Sequence, residues 1–297
     1  MPNPAVIFAN PNAGRGRAVA IATELERALA GASYAVKIFF DHPAKIPADK
    51  LPTDIAAAIT IGGDGTLRTA AEMLLSLGNN MPPMLPIPLG TANLMGKHLG
   101  ITWPANQLSR AVVETVKQNK IVRLDAGQMN GRLFLLMVGI GLDAQVVHVL
   151  EKFRKGPIDF TTYALPAALS FAQYSFPPIT VTIDGRTRFN SRPGIAFIGN
   201  IPEYGTGFPI LNRAIADDGL LDVCVLPCEN RRDLANLLLN VGVGEHDLRD
   251  DVIYTKAKEI HITSEEKVPA QLDGDAAGFT PIHISVKPQS VPFLVPA

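Results

Sequence analysis

The sequence predicts an α/β fold in two parts, a parallel sheet with helical crossovers followed by a mainly antiparallel, β-rich region. Three observations lead there. Over the first 120 or so residues short β-type runs alternate with helical patterns, the grammar of a parallel sheet covered on both faces. From about Arg123 the punctuation changes to hairpin dipeptides, Asn130-Gly131 and Asp184-Gly185, set between alternating runs. With 47% hydrophobic residues in 297, the chain can bury one large core or two ordinary ones.

The elements follow in order. Ala5 to Ala9 is an apolar strand, closed by the turn Asn10-Pro11-Asn12-Ala13-Gly14-Arg15-Gly16 and followed by a helix from about Ala18 to Ala30. Tyr34 to Phe40 and Ile55 to Ile61 are the next strands. The second of them ends in Gly62-Gly63-Asp64-Gly65-Thr66 and runs into a helical pattern closed by Gly78. Leu85 to Leu89 is a fourth strand, ending in Gly90-Thr91-Ala92-Asn93. Ligands of such sheets bind beyond the carboxyl ends of the strands, where these three turns lie. Later strands are expected at Gly194 to Gly199, Leu220 to Leu226, Ala257 to Thr263 and His283 to Val286, with helices at Ala144 to Phe153, Tyr163 to Tyr174 and Arg232 to Val241. The expected domains are 1–122, α/β, and 123–297, β-rich, with the extreme C-terminus returning to the first.

Composition narrows the function classes. Lys and Arg total 27 against 28 Asp and Glu, so a net charge of -1 gives no global field to gather nucleic acid, and none is expected as a partner. Cys224 and Cys228, four apart, suit neither a disulfide framework nor a C-x-x-C site. The longest apolar stretch, Leu133 to Leu142, is half of the roughly 20 residues a membrane span needs. The first residues lack a charged region ahead of an apolar one, so a cytoplasmic location is expected. No G-x-S-x-G elbow occurs, which disfavours a hydrolase, and His98, His148 and the remaining histidines show no ligand spacing, so no zinc, haem or flavin is assigned.

The glycine turns carry the chemistry. The Asn10 to Gly16 loop opens a helix, and its backbone N–H groups suit an anion, but it is not a Walker A: Arg17 and Ala18 stand where Lys and Ser or Thr belong. Gly62 and Gly63 permit close backbone approach to a phosphate, Asp64 supplies a carboxylate for a magnesium shell, and Thr66 adds a hydroxyl. A tight turn with Asp64 or Thr66 as helix N-cap is the plainer alternative. Gly90 to Asn93 repeats the design at the next strand end, and the pair suggests a nucleotide held between two loops.

At this point the sequence resembles the diacylglycerol kinase and sphingosine kinase type of lipid kinase, in particular the small soluble bacterial members. The matching stretches are NPNAG, GGDGT, PLGTAN, FLLMVGIGLDAQVV (134–147), the run from Gly199 to Leu226, and QLDGD (271–275), in matching order and spacing. The resemblance implies an ATP-dependent kinase with the nucleotide on the GGDGT domain and a lipid acceptor against the β-rich domain. Carried over residue by residue, it implies nucleotide contacts from Asn10, Gly62, Gly63, Asp64, Gly65, Thr66, Thr91 and Asn93. It implies a structural Mg²⁺ at the Asp218 carboxylate with the backbone carbonyls of Ile215 and Leu220. It also implies a general base at Asp275, the third residue of a motif whose family form is D-G-E, with Asp273 beside it. Aspartate shortens that arm by one methylene, so the backbone lies closer to the acceptor or a water bridges the gap. Two further departures are Leu94, where many members carry Asp, and Phe39, near a place where some members offer a hydroxyl to the nucleotide. Asp125 matches a family acid that either helps organise the metal or forms a structural ion pair.

A lipid acceptor implies transient, peripheral membrane contact at the inner membrane face. Lys152-Phe153-Arg154-Lys155-Gly156-Pro157, followed by Phe160 and Tyr163, is the candidate surface, with a solvated helix end as the alternative. A homodimer is left open. A cation such as Arg15, Arg17 or Lys97 is a candidate to offset developing phosphate charge in the absence of a P-loop lysine. The rival readings are a soluble-acceptor kinase of the NAD kinase type and a nucleotide-binding regulatory protein without turnover.

Overall fold

The computed structural model describes residues 3–296 apart from 77, 79–80, 154–169 and 206. Its chain divides into two compact units, Met1–Leu124 with Gln289–Ala297, and Asp125–Pro288.

In the first unit β1 (Asn3–Ala9), β2 (Tyr34–Phe39), β3 (Ala57–Gly62) and β4 (Met84–Pro88) are parallel, in the order β2-β1-β3-β4. Beyond β4 the sheet is completed by the end of the chain's last strand, Ile282–Leu294, with Phe293 opposite Met84. α1 (Arg17–Gly31) returns the chain from β1 to β2, and α2 (Asp64–Leu75) from β3 to β4. Every residue of β3 is buried, as expected of a central strand covered on both faces, so its sequence AAITIG shows no alternation. α3 (Leu94–His98) and α4 (Leu108–Gln118) follow. The strand order reverses direction around β1 and β3, which makes their carboxyl ends the natural binding crevice.

The second unit begins within β5 (Ile121–Met129), which turns through Asn130-Gly131 into β6 (Arg132–Phe134), both turn residues having positive φ (46° and 86°). That is the two-residue turn the dipeptide announces. β7 (Met137–Ile140) leads into α5 (Leu142–Phe153). β8 (Pro178–Ile183) and the long β9 (Arg186–Gly199) form the hairpin expected at Asp184-Gly185, with φ of 46° and 75°. β10 (Leu221–Pro227), α6 (Arg231–Gly242), β11 (Ile253–Ala257), β12 (Glu259–Thr263), β13 (Pro269–Leu272), β14 (Asp275–Phe279) and β15, the last strand, complete it.

These strands make two sheets. An outer sheet orders β9-β8-β12-β15, all antiparallel, and an inner one orders β14-β13-β7-β9-β10-β11. β9 serves both, its first half pairing with β8 and its second with β7 and β10. One core lies between the sheets, with Val181, Ile260 and Ile284 from the outer and Val138, Ile198, Val223 and Leu272 from the inner. The inner sheet is covered on its other face as well, where Phe197, Cys224 and Leu226 meet Leu234, Leu237 and Val241 of α6. Burial on both faces explains why every residue of β10 is buried and all but Asp222 are apolar, whereas β12 alternates strictly because one of its faces is solvent. The two cysteines are reduced and buried.

One expected element is corrected. Ala257 to Thr263 is not one strand: β11 pairs with β10 in the inner sheet and β12 with β8 and β15 in the outer. The break falls at Lys258, where Asp184 Oδ1 accepts the N–H groups of Lys258 and Glu259 at 3.1 and 2.9 Å. An apolar run records burial but not the partner of each residue, so the change of sheet leaves no mark in it. The expected helix Tyr163 to Tyr174 lies largely outside the described residues, as does Arg154 to Tyr163 of the candidate membrane surface. Among the described residues no helix is long and apolar enough to cross a membrane.

Asp184→Ala should lower stability by about 1–2 kcal/mol in urea unfolding, since it strands two amides and leaves a Cβ-bearing residue at positive φ without its compensating bonds. Asp184→Asn, which keeps an acceptor, should retain most of it.

Candidate active site

Three loops leave neighbouring carboxyl ends of the first sheet. After β1, Asn10 donates its N–H to Ile61 O at 3.0 Å, and its side-chain Oδ1 accepts from Asn12 N at 3.0 Å, so its amide shapes its own turn. Gly14, Arg15 and Gly16 all have positive φ (58°, 57° and 85°), an unusual run that includes a non-glycine residue. Arg15, Arg17 and Lys97 are exposed. Arg17 Nε donates to Gly14 O at 3.1 Å.

After β3, α2 begins at Asp64 with Gly63 as N-cap and no side-chain capping bond. Neither Asp64 nor Thr66 caps this helix. Thr66 N donates to Gly63 O at 3.0 Å, and the positive dipole end of the helix carries no side-chain cap, which suits an anion. The Thr66 hydroxyl lies over Gly62, where a Cβ would sit 2.5 Å from Oγ1. After β4, Asn93 closes the Gly90 turn reciprocally: Oδ1 accepts from Gly90 N and Nδ2 donates to Gly90 O, each at 2.8 Å. Thr91 is exposed.

The second and third loops are fastened to each other. Leu89 N donates to Gly62 O at 2.8 Å. A Cβ built on Gly90 would lie 2.6 Å from Gly63 Cα, so only glycine allows this approach. The Asp64 carboxylate accepts the N–H of Leu94 at 3.0 Å and of Met95 at 3.1 Å, capping α3 from a different loop. Burial raises its pKa while those backbone bonds oppose the rise. Asp64 is thus a clamp between loops, a role that sequence spacing does not reveal. Phe39 is core, stacked on Phe8 with ring centroids 5.8 Å apart, and Leu94 is buried.

The remaining candidates lie in the second unit. Asp273-Gly274 is a two-residue turn between β13 and β14 with φ of 49° and 85°. The Asp273 carboxylate accepts three amides, from Leu135, Leu136 and Met137, at 2.9 to 3.0 Å. This is an anchor for the turn, and Asp275 follows it, half-buried at the head of β14. Gln271, fully buried, extends the support: its Oε1 accepts from Gly274 N at 2.9 Å and its Nε2 donates to Asp143 Oδ2 at 3.2 Å. Asp143 is half-buried with its Oδ1 closed off from solvent, and desolvation, opposed by hydrogen bonds to its carboxylate, pushes its pKa up to about 7. Both residues lie within the stretches that carry the family resemblance, but their pairing across 128 residues leaves no local signal.

Ile215, Asp218 and Leu220 lie in the loop before β10. Asp125, completely buried, grips that loop from both sides: its N–H donates to Ala216 O and its Oδ2 accepts from Gly219 N, each at 2.7 Å. Asp218 Oδ1 accepts from Leu220 N at 3.1 Å, while Oδ2 pairs with the Lys256 ammonium. A carboxylate and carbonyls make an oxygen-only donor set of the kind magnesium takes, with Lys256 here neutralising the acid.

Glycine loops at adjacent parallel strand ends, followed by a β-sandwich, define a kinase-type architecture. Residues 4–129 match the diacylglycerol kinase catalytic domain, and residues 136–295 the YegS C-terminal NAD kinase beta sandwich-like domain. The chain belongs to the diacylglycerol kinase family. A diacylglycerol kinase of Staphylococcus carnosus is 26% identical over 78% of this chain and 74% of its own. A Pseudomonas aeruginosa protein named probable lipid kinase YegS-like is 26% identical over 90% of this chain and 86% of its own. The crystal structure of a diacylglycerol kinase from Bacillus anthracis has the same fold, with a TM-score of 0.72, 21% identity and coverage of 99% of this chain and 97% of that one.

Two outcomes follow. Gly90→Ala should leave the circular dichroism spectrum native but weaken ATP binding by at least about tenfold in calorimetry, because the two loops must part. Asp143, protonated more readily in the folded state than in the unfolded, contributes stability that is complete below about pH 4 and lost as pH rises through about 7. Asp143→Asn should therefore gain stability relative to wild type between about pH 5 and about pH 8 in urea titrations.

Proposed function

We propose that the protein transfers the γ-phosphoryl group of ATP to the hydroxyl of a lipid, diacylglycerol-like or of the sphingoid or ceramide kind, in a magnesium-dependent reaction. The observation that carries this reading is the fastening of Gly63 to Gly90 beside the uncapped start of α2, in a chain of the diacylglycerol kinase family. Phosphoryl transfer asks a protein chiefly for positioning and charge stabilisation. The turn from Gly62 to Thr66 would receive phosphate oxygens at the start of α2, with Asn10, Thr91 and Asn93 assigned to the rest of the nucleotide. Asp275 accepts the proton of the attacking hydroxyl. Asp273 and Gln271 hold the turn that aims Asp275, so they are positioning residues. Bound magnesium would neutralise charge on the transferring phosphate, and Asp218 with the carbonyls of Ile215 and Leu220 would hold a structural ion. Access to a lipid hydroxyl calls for peripheral, reversible contact with a bilayer.

The test is incubation of purified protein with labelled ATP, magnesium and mixed micelles of several candidate lipids, with Asp275→Asn in parallel. Label is expected in the organic phase, with turnover reduced on the order of 100-fold or more in the variant. Persistent label in the variant would remove Asp275 as the base. ATP binding without labelled lipid would favour the soluble-acceptor or regulatory reading, for which the shortened acid at position 275 is the supporting observation.

A further inference from the structure

The outer sheet of the second unit brings together three coordinating side chains that are scattered in the sequence. β12 and β15 are antiparallel neighbours, with His261 directly opposite His283 and Glu259 opposite Ser285. Strict alternation along β12 sends Ile260 and Ile262 into the core and Glu259 and His261 to the solvent face. Glu259, two residues before His261, thus lies diagonal to His283, within reach across the strands. Its Oε1 is 3.1 Å from His261 Nε2 and 2.9 Å from His283 Nε2. The imidazoles stack at 4.4 Å between centroids and 28° between planes, and the three ligand atoms lie within 4.8 Å of one another.

The backbone under these side chains is pinned by the two hairpin turns. Asn130 donates its N–H to His283 O at 2.9 Å, and its Oδ1 accepts the His283 N–H at 2.8 Å. Asp184 N donates to Glu259 O at 2.9 Å, in addition to the bond its carboxylate accepts from Glu259 N. Each strand is therefore fixed at the residue that carries a ligand, and binding needs only side-chain adjustment. That is the preorganisation a site requires.

We propose that Glu259, His261 and His283 form a binding site for a divalent transition metal of the zinc class. Two imidazole nitrogens and one carboxylate oxygen suit zinc, nickel or copper, and do not suit magnesium, which takes hard oxygen ligands. Three protein ligands leave a fourth position for water. To coordinate through Nε2, each neutral ring carries its single proton on Nδ1, the Nε2 proton being released to water as another is taken up at Nδ1. The step is a change of tautomer with no net proton release and no redox chemistry. The metal would tie β12 to β15 at the point where the register already aligns them.

The experiment uses the untagged, full-length chain freed of metal with EDTA and titrated with zinc chloride by calorimetry, with cobalt absorption reporting the ligand geometry. Wild type is compared with His261→Ala, His283→Ala and Glu259→Gln, and equal melting temperatures in EDTA establish that these exposed positions leave the fold intact. One zinc per chain is expected, together with a melting temperature raised by a few degrees, insensitivity to millimolar magnesium, and affinity at least about tenfold weaker in each histidine variant. No saturable binding up to about 100 µM zinc, or unchanged affinity in both histidine variants, would overturn the proposal.

Discussion

The contact between Gly63 and Gly90 sets the terms for the first unit. Two strand ends of a parallel sheet lie about 4.8 Å apart, and a side chain at Gly90 would force the loops to diverge, while one at Gly63 would be tight. With hydrogen in place of Cβ on both sides, the backbones touch, and the Asp64 carboxylate reaches two amides of the opposite loop. Burying that acid costs desolvation energy, which the two backbone bonds offset, and in return the start of α2 is held rigid without a cap of its own. The same arrangement that leaves the start of α2 without a side-chain cap fixes the direction of its positive dipole end.

The second unit uses the same device with a different partner. Asp273, at positive φ in a two-residue turn, satisfies three amides at the end of the 132–137 segment, and Asp125 does likewise for the loop before β10. In each case a buried or half-buried carboxylate fastens an irregular segment that could not pair with a sheet. Acids that sequence patterns mark as chemical, Asp64, Asp125 and Asp273, thus prove to have their oxygens committed to backbone amides.

How much was legible in the sequence follows the range of each signal. Turn chemistry is local, so Asn130-Gly131 and Asp184-Gly185 announced their hairpins, and the glycine-rich strand ends announced the turns at the carboxyl ends of β1, β3 and β4. Pairing partners are not local. Nothing in the run from Ala257 to Thr263 says that the chain changes sheets at Lys258, because residues on both sides of the break are buried by different neighbours. Gln271 and Asp143 escaped notice for the same reason, since their link spans 128 residues of sequence. The histidines of β12 and β15 have no ligand spacing along the chain, and only the strand register makes His261 and His283 adjacent.

The last strand has a consequence for the order of synthesis. Its first residues pair in the second unit, while Phe293 lies beside Met84 and residues 289–297 belong to the first. On a ribosome the strands up to β4 emerge early, yet β4 keeps an unpaired edge and an uncovered apolar flank until the whole of the second unit has been made. The late-arriving strand ties completion of the glycine-loop sheet to prior synthesis of the whole second unit.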